Sequence, residues 1–160
     1  MNTIEELSKT TGKFLVEHKL KISVAESCTG GLLGASLTDI AGSSAYFRGG
    51  VIAYDNAVKI KVLGVREETL IRWGAVSAVV ALEMAAGACR ALGVDVAVSV
   101  TGIAGPTGAT AIKPVGLYYL GLATPNERYA WRHLFTGDRM DNNAAAAHAT
   151  LQHLLDYLRG

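Results

Sequence analysis

The sequence predicts an α/β fold, a mixed sheet of about five strands with helices on both faces, and three observations carry that prediction. Helix-period and strand-period patterns follow the order helix, strand, helix, strand, helices, strand, two strands, helix. Hydrophobic residues make up 50% of the 160, only 7% are aromatic and 18 are glycine, which suits an Ala/Val-rich core joined by tight turns. Two strand patterns also run into glycine-rich exits, Glu26 to Gly31 and Thr101 to Pro106, where sheets of this class open toward ligands. The length suits one well-buried domain over residues 1–160 and is too short for two ordinary ones.

Ile4, Leu7, Phe14, Leu15 and Leu20 recur at helical spacing, so the chain opens on a helix, and Lys21 to Ala25 follow as a buried strand. From Ser27 to Asp39 the pattern is helical again, with Ser27 or Thr29 as N-cap and Ala41-Gly42-Ser43-Ser44 as the terminating turn. Gly30 and Gly31 each cost a helix about 1 kcal/mol against Ala. Their bare backbone serves either close packing on the sheet or approach to a ligand, and the residues alone leave those readings even.

Tyr46 to Tyr54 has the β-branched and aromatic content of a strand, with Gly49 and Gly50 marking a bulge. Asp55 to Leu63, capped by Asp55 or Asn56, and Arg66 to Trp73 read as short helices, the second stopped by Gly74. Ser77 caps a longer helix through Ala91 that Gly93 ends; Ala81, Ala85, Ala86 and Ala88 give it a small-residue face. Val94 to Val100 alternates as a strand into the second glycine-rich exit, and Thr107 to Lys113 is a loop. Val115 to Thr124 and Arg128 to Phe135 read as antiparallel strands turning at Pro125-Asn126, before a last helix that runs from Arg139 through Leu158.

Fifteen Lys+Arg against 14 Asp+Glu leave a net charge of +1, so no global field exists to hold nucleic acid or an anionic membrane surface. Met1 to Lys19 is amphipathic and lacks the basic flank and apolar run of a signal peptide, and no stretch is apolar enough to span a bilayer. A cytoplasmic protein is expected, without membrane or nucleic-acid partners. The two cysteines, Cys28 and Cys89, lie far apart with no zinc spacing, so neither a metal site nor a disulfide framework is expected.

The four histidines, His18, His133, His148 and His153, avoid both glycine-rich exits, and neither the Gly-x-Ser-x-Gly elbow nor the phosphate-loop motif is present. What remains is Ser27 at a helix start, with Lys59 one turn into the helix that follows Tyr54. As a base Lys59 would have to be desolvated enough to populate its neutral amine. On the residues alone the simpler reading prevails: Lys59 and Lys61 as surface lysines, Tyr54 as a strand residue. Cys28 at the same helix start reads as a residue packed on the sheet rather than a thiolate nucleophile, and Glu26 as a carboxylate capping neighbouring N–H groups rather than a general base. Arg139 clamps a phosphate or carboxylate, or pairs with Asp138 or Asp141.

The set Ala25-Glu26-Ser27-Cys28-Thr29-Gly30-Gly31, Asp39 to Ser44, Tyr54-Asp55-Asn56 with Lys59, Gly74-Ala75-Val76-Ser77, Thr101 to Pro106, Lys113-Pro114-Val115-Gly116 and Gly137-Asp138-Arg139 closely resembles the C-terminal domain of the competence/damage-inducible CinA proteins. The likeness covers nearly the whole chain, with the motifs in the same order. It implies a three-layer α/β/α sandwich with a mixed, mostly parallel sheet. It also implies hydrolysis of the carboxamide of nicotinamide mononucleotide to nicotinate mononucleotide and ammonia, without metal or cofactor. By resemblance Ser27 is the nucleophile, Lys59 the base and Tyr54 their partner. Thr29, Gly30, Gly31, Asn56, Thr101, Gly102, Gly105 and Arg139 are the substrate-side positions, with the first-turn amides beside them. Lone members of the family commonly self-associate, so a homo-oligomer is expected. The alternative is a non-catalytic relative binding a nucleotide or a protein partner in the same cleft.

The chain departs from the family pattern at Thr107-Gly108-Ala109 and Thr110-Ala111-Ile112, at Ala78, and at Met140-Asp141-Asn142-Asn143, where further arginines are usual. These departures fall on substrate-facing loops and on positive charge rather than on Ser27, Tyr54 or Lys59.

Overall fold

The computed structural model describes all residues, 1–160. Its five strands, β1 (Ile22–Glu26), β2 (Phe47–Ile52), β3 (Val96–Gly102), β4 (Leu117–Ala123) and β5 (Arg128–Leu134), form one sheet in the order β2-β1-β3-β4-β5. β1 is parallel to both neighbours, while β4 runs antiparallel to β3 and to β5, so every strand but β4 points the same way. The helices are α1 (Ile4–Glu17), α2 (Leu32–Thr38), α3 (Asn56–Leu63), α4 (Glu67–Trp73), α5 (Ala78–Leu92) and α6 (Arg139–Arg159), with a 3-10 turn at Ser43–Ala45. This is the mixed, mostly parallel α/β/α sandwich.

Alternation along the strands makes the two faces of the sheet unlike. Ile22, Val24, Val96, Val98, Val100, Leu120 and Leu122 point to the layer of α1, α2 and α6, where they meet Leu7, Leu15, Leu33, Leu151 and Leu154. Each fully buried leucine there gains about 1.5–3 kcal/mol over exposure. The intervening positions are small: Ala25 and Ala97 pack with Val80, Met84 and Ala88 of α5. Small residues let α5 lie almost on the backbone. Ser99 Oγ donates to Ala81 O at 2.6 Å, and a Cβ on Gly121 would sit 2.4 Å from that same carbonyl oxygen.

Several boundaries differ from the sequence expectation. The helix expected from Ser27 begins at Leu32, because Gly30 (φ +59°) and Gly31 (φ +110°) adopt left-handed backbone that no α-helix contains. A Cβ on Gly30 would meet nothing within 4 Å, so its conformation rather than close packing calls for glycine. Ser27 and Thr29 are accordingly not N-caps. The strand expected over Tyr46 to Tyr54 is shorter, since Tyr54 leaves the sheet and Asp55 caps α3 by accepting from Ala57 N at 2.7 Å. The bulge does fall at the glycines: Ile22 pairs with Phe47 and Ser23 with Gly49, leaving Arg48 between them. No helix is long and apolar enough to cross a membrane.

Candidate active site

Ser27 sits one residue beyond the carboxyl end of β1. Its N–H donates to Val100 O of β3 at 3.0 Å, and Ala53 N donates to Glu26 O at 2.7 Å, so the ends of β1, β2 and β3 are laced together around it. Lys59 comes from the first turns of α3. Its side chain folds inward and is 1% exposed, which corrects the surface-lysine reading. The amine lies 3.1 Å from Ser27 Oγ, 2.8 Å from Ala53 O and 3.2 Å from Tyr54 O. Carbonyl oxygens only accept, so they engage two N–H bonds and leave the third direction for the serine hydroxyl.

Burial lowers the Lys59 pKa from the ordinary lysine value, opposed by negative charge at Cys28 and Asp55. Burial also pushes the Cys28 thiol up to about 11, so at neutral pH Cys28 is uncharged and Asp55 is the opposing group that acts. The same shift suits Cys28 to packing and not to nucleophilic attack. Its side chain packs against the core on the α1, α2 and α6 side of the sheet.

The turn after Ser27 is built on Glu26. This carboxylate, 1% exposed, accepts from Thr29 Oγ1 at 2.7 Å, Leu33 N at 2.9 Å and Gly34 N at 2.9 Å. A buried carboxylate demands such partners. Glu26 therefore occupies the first-turn amides of α2 that the sequence offered to a substrate. The N–H groups of Cys28, Thr29 and Gly31 donate to no acceptor in the chain, and that of Cys28 directly follows Ser27.

The other expected positions divide. Tyr54 touches Lys59 only through its backbone carbonyl; its ring is 59% exposed and its hydroxyl accepts from Arg139 Nη2 at 2.9 Å. Arg139 Nη1 donates to Gly105 O at 2.8 Å, so this guanidinium spans the loops after β2 and β3, and it makes no ion pair with Asp138 or Asp141. Thr101 is buried and donates to Ala75 O at 2.8 Å. Gly102 and Gly105 are held by close contacts, since a Cβ would lie 2.4 Å from the Tyr118 ring and 2.5 Å from Val115, respectively. Asn56 is exposed at the start of α3 and makes no side-chain hydrogen bond. A cavity of about 620 Å³ beside Arg139, lined by Ala104, Gly105, Pro106, Val115 and Met140 among others, falls in the size range of small-molecule sites.

Sequence reasoning missed the Ala53 carbonyl, which carries no side-chain signal, and the start of α6. Asn142 Nδ2 donates to Ala104 O at 3.1 Å and its Oδ1 accepts from Gly137 N at 2.9 Å, while Asn143 Nδ2 donates to Cys28 O at 3.2 Å. Two adjacent asparagines in an otherwise alanine-rich helix were the available signal, because Asn is a poor helix former that needs a reason to be there. The histidines lie elsewhere: His133 and His153 contact each other, and His18 and His148 bond to backbone carbonyls.

A buried serine–lysine pair at the carboxyl ends of the parallel strands of a mixed α/β/α sandwich defines the class of this domain. The profile of the CinA C-terminal domain matches residues 4–158, and the chain belongs to that family. It is 51% identical over 148 residues to a CinA-like protein of Leptospira borgpetersenii, covering 92% of this chain and 35% of that one. To a CinA-like protein of Nostoc punctiforme it is 50% identical over 156 residues, covering 97% and 37%. The chain thus spans little more than a third of the length of these relatives. Among solved structures it is similar to the competence/damage inducible protein CihA of Agrobacterium tumefaciens, with a TM-score of 0.95 and 40% identity over 100% of this chain and 98% of that one. A competence or damage-inducible protein of Enterobacter asburiae superposes with a TM-score of 0.96 at 33% identity, covering 99% of each.

Proposed function

We propose that this domain is an amidohydrolase that converts nicotinamide mononucleotide to nicotinate mononucleotide and ammonia. The observation that carries the chemistry is Lys59: a buried amine with two backbone carbonyls and Ser27 Oγ, at 3.1 Å, as its neighbours. The choice of substrate rests on the family resemblance of the motifs.

In this reading Ser27 Oγ attacks the carboxamide carbon as its proton passes to the neutral Lys59 amine. The oxyanion is received by the free N–H groups of the turn after Ser27. Lys59 then passes that proton to the amide nitrogen as the C–N bond breaks, so that ammonia leaves and nicotinate mononucleotide remains esterified to Ser27; the neutral amine next activates the water that cleaves this ester. Arg139 and the adjoining cavity take the remote part of the substrate, where a guanidinium suits a phosphate.

The test is ammonia release from nicotinamide mononucleotide, with the product mass checked, for the protein beside Ser27→Ala and Lys59→Ala. Turnover lost in both variants, with the fold retained, is the expected result. Undiminished release in either variant overturns the dyad, and no release by the unaltered protein overturns the substrate.

A further inference from the structure

We infer that Asn143, oriented by Tyr118, is the positioning residue that aims the Thr29 N–H at the oxyanion formed on attack by Ser27. The inference rests on the amidohydrolase reading above. Cys28 O can only accept, so the atom of Asn143 facing it at 3.2 Å is the amide nitrogen. That places Asn143 Oδ1 toward Tyr118, whose hydroxyl donates to it at 2.7 Å. Tyr118 is fully buried, packed edge-on against Phe135 and beneath Gly102, so its hydroxyl is a fixed reference for the amide.

The consequence lies in the peptide between Cys28 and Thr29. A trans peptide is planar, with C=O and N–H pointing in opposite directions. Holding the carbonyl from the α6 side therefore turns the Thr29 N–H the other way, and that N–H has no acceptor in the chain. The opposite side of the turn is pinned by Thr29 Oγ1 on Glu26. Without the Asn143 bond the plane between Cys28 and Thr29 is held from the Glu26 side alone, next to the left-handed Gly30 and Gly31, and the donor loses its aim. Asn143 reaches the turn only through Cys28 O and bonds neither Ser27, Lys59 nor Arg139, so its effect should appear in the transition state more than in binding.

The experiment compares Asn143→Ala, Tyr118→Phe and the unaltered protein on nicotinamide mononucleotide and on its thiocarboxamide analogue, whose sulfur is a poor acceptor for the same N–H. For Asn143→Ala we expect kcat to fall about 10- to 100-fold with KM within about threefold, less than outright loss of an oxyanion donor. The preference for oxygen over sulfur should shrink in parallel. Tyr118→Phe, which keeps the buried ring, should move both readouts the same way by a smaller factor. An unchanged kcat, or a loss with the oxygen-to-sulfur preference intact, overturns the inference. Should the unaltered protein not turn over the mononucleotide, the substrate reading fails by itself, and sulfonylation of Ser27 by phenylmethylsulfonyl fluoride, followed by mass, decides the matter. Slower labelling of Asn143→Ala supports the positioning role; equal labelling of both proteins, or none of either, overturns it.

Discussion

Lys59 reaches the site from the fourth position of α3, and its surroundings are more specific than burial alone requires. A lysine buried only to pack would snorkel its amine to water; this one ends on Ala53 O, Tyr54 O and Ser27 Oγ. A base must be neutral to accept a proton, so activity should rise with pH as Lys59 deprotonates. Because burial lowers its pKa, the acid limb of the kcat profile should have its midpoint below the ordinary lysine value of 10.5. Lys59→Arg separates this role from simple electrostatics. Arginine keeps the charge but stays protonated, so turnover should fall by about 10²- to 10⁴-fold, the usual worth of a general base. Retained activity in that variant would mean that the charge, and not proton transfer, is what the site uses.

At the scale of elements, the period of the hydrophobic pattern made the helices and strands legible, and the ends were less so. The small-residue face of α5 was readable from Ala81, Ala85, Ala86 and Ala88; Ala88 packs where the strands offer Ala25 and Ala97, Ala85 and Ala86 pack with Ala123, and Ala81 O accepts from Ser99. Gly121→Ala should therefore cost about 2 kcal/mol in urea unfolding, since the added methyl meets Ala81 O and Ser99 Oγ at 2.4 Å. The start of α2 was misread because Ser27 and Thr29 are good N-cap residues. The left-handed Gly30 and Gly31 displace the helix start to Leu32, and a side chain from the preceding strand, Glu26, holds it there by reaching forward to Leu33 N and Gly34 N. Such a contact spans seven and eight residues and leaves no short-range signature. Replacing Glu26 by Ala strands those donors and the Thr29 hydroxyl in a buried turn; we expect a loss of about 3 kcal/mol and, with the turn loosened, a fall in turnover as well. Full stability in Glu26→Ala would remove this account of the turn.

Over the whole molecule, the site is assembled from segments that sequence order keeps far apart: Ser27 after β1, Lys59 after β2, the Gly105 loop after β3, and Arg139 with Asn143 on α6. Resemblance of the motifs named Ser27, Lys59, Gly105 and Arg139 as site positions, while the reach of Asn143 to the turn after Ser27 became visible only in three dimensions. The same helix makes another polar contact further along, where His153 meets His133 of β5 with Nε2 atoms 2.8 Å apart. The Trp131 ring stacks on His153 at 4.3 Å and Phe135 stacks on His133 at 5.3 Å, and Asp156 is the one carboxylate that favours charge on His153. Burial lowers both imidazole pKa values, most simply as a neutral pair sharing one N–H···N bond. For a base whose folded pKa is depressed, the unfolded chain takes up the proton first. Stability contributed by this pair is thus present above the ordinary histidine value of 6.5 and is lost as pH falls from there toward the lowered folded values. Urea unfolding between pH 7.5 and 5 should show that loss, and the double substitution His133→Phe with His153→Phe should flatten it while leaving the Ser27 site intact. An equally steep loss in the double variant would place the acid-sensitive contact elsewhere in the fold.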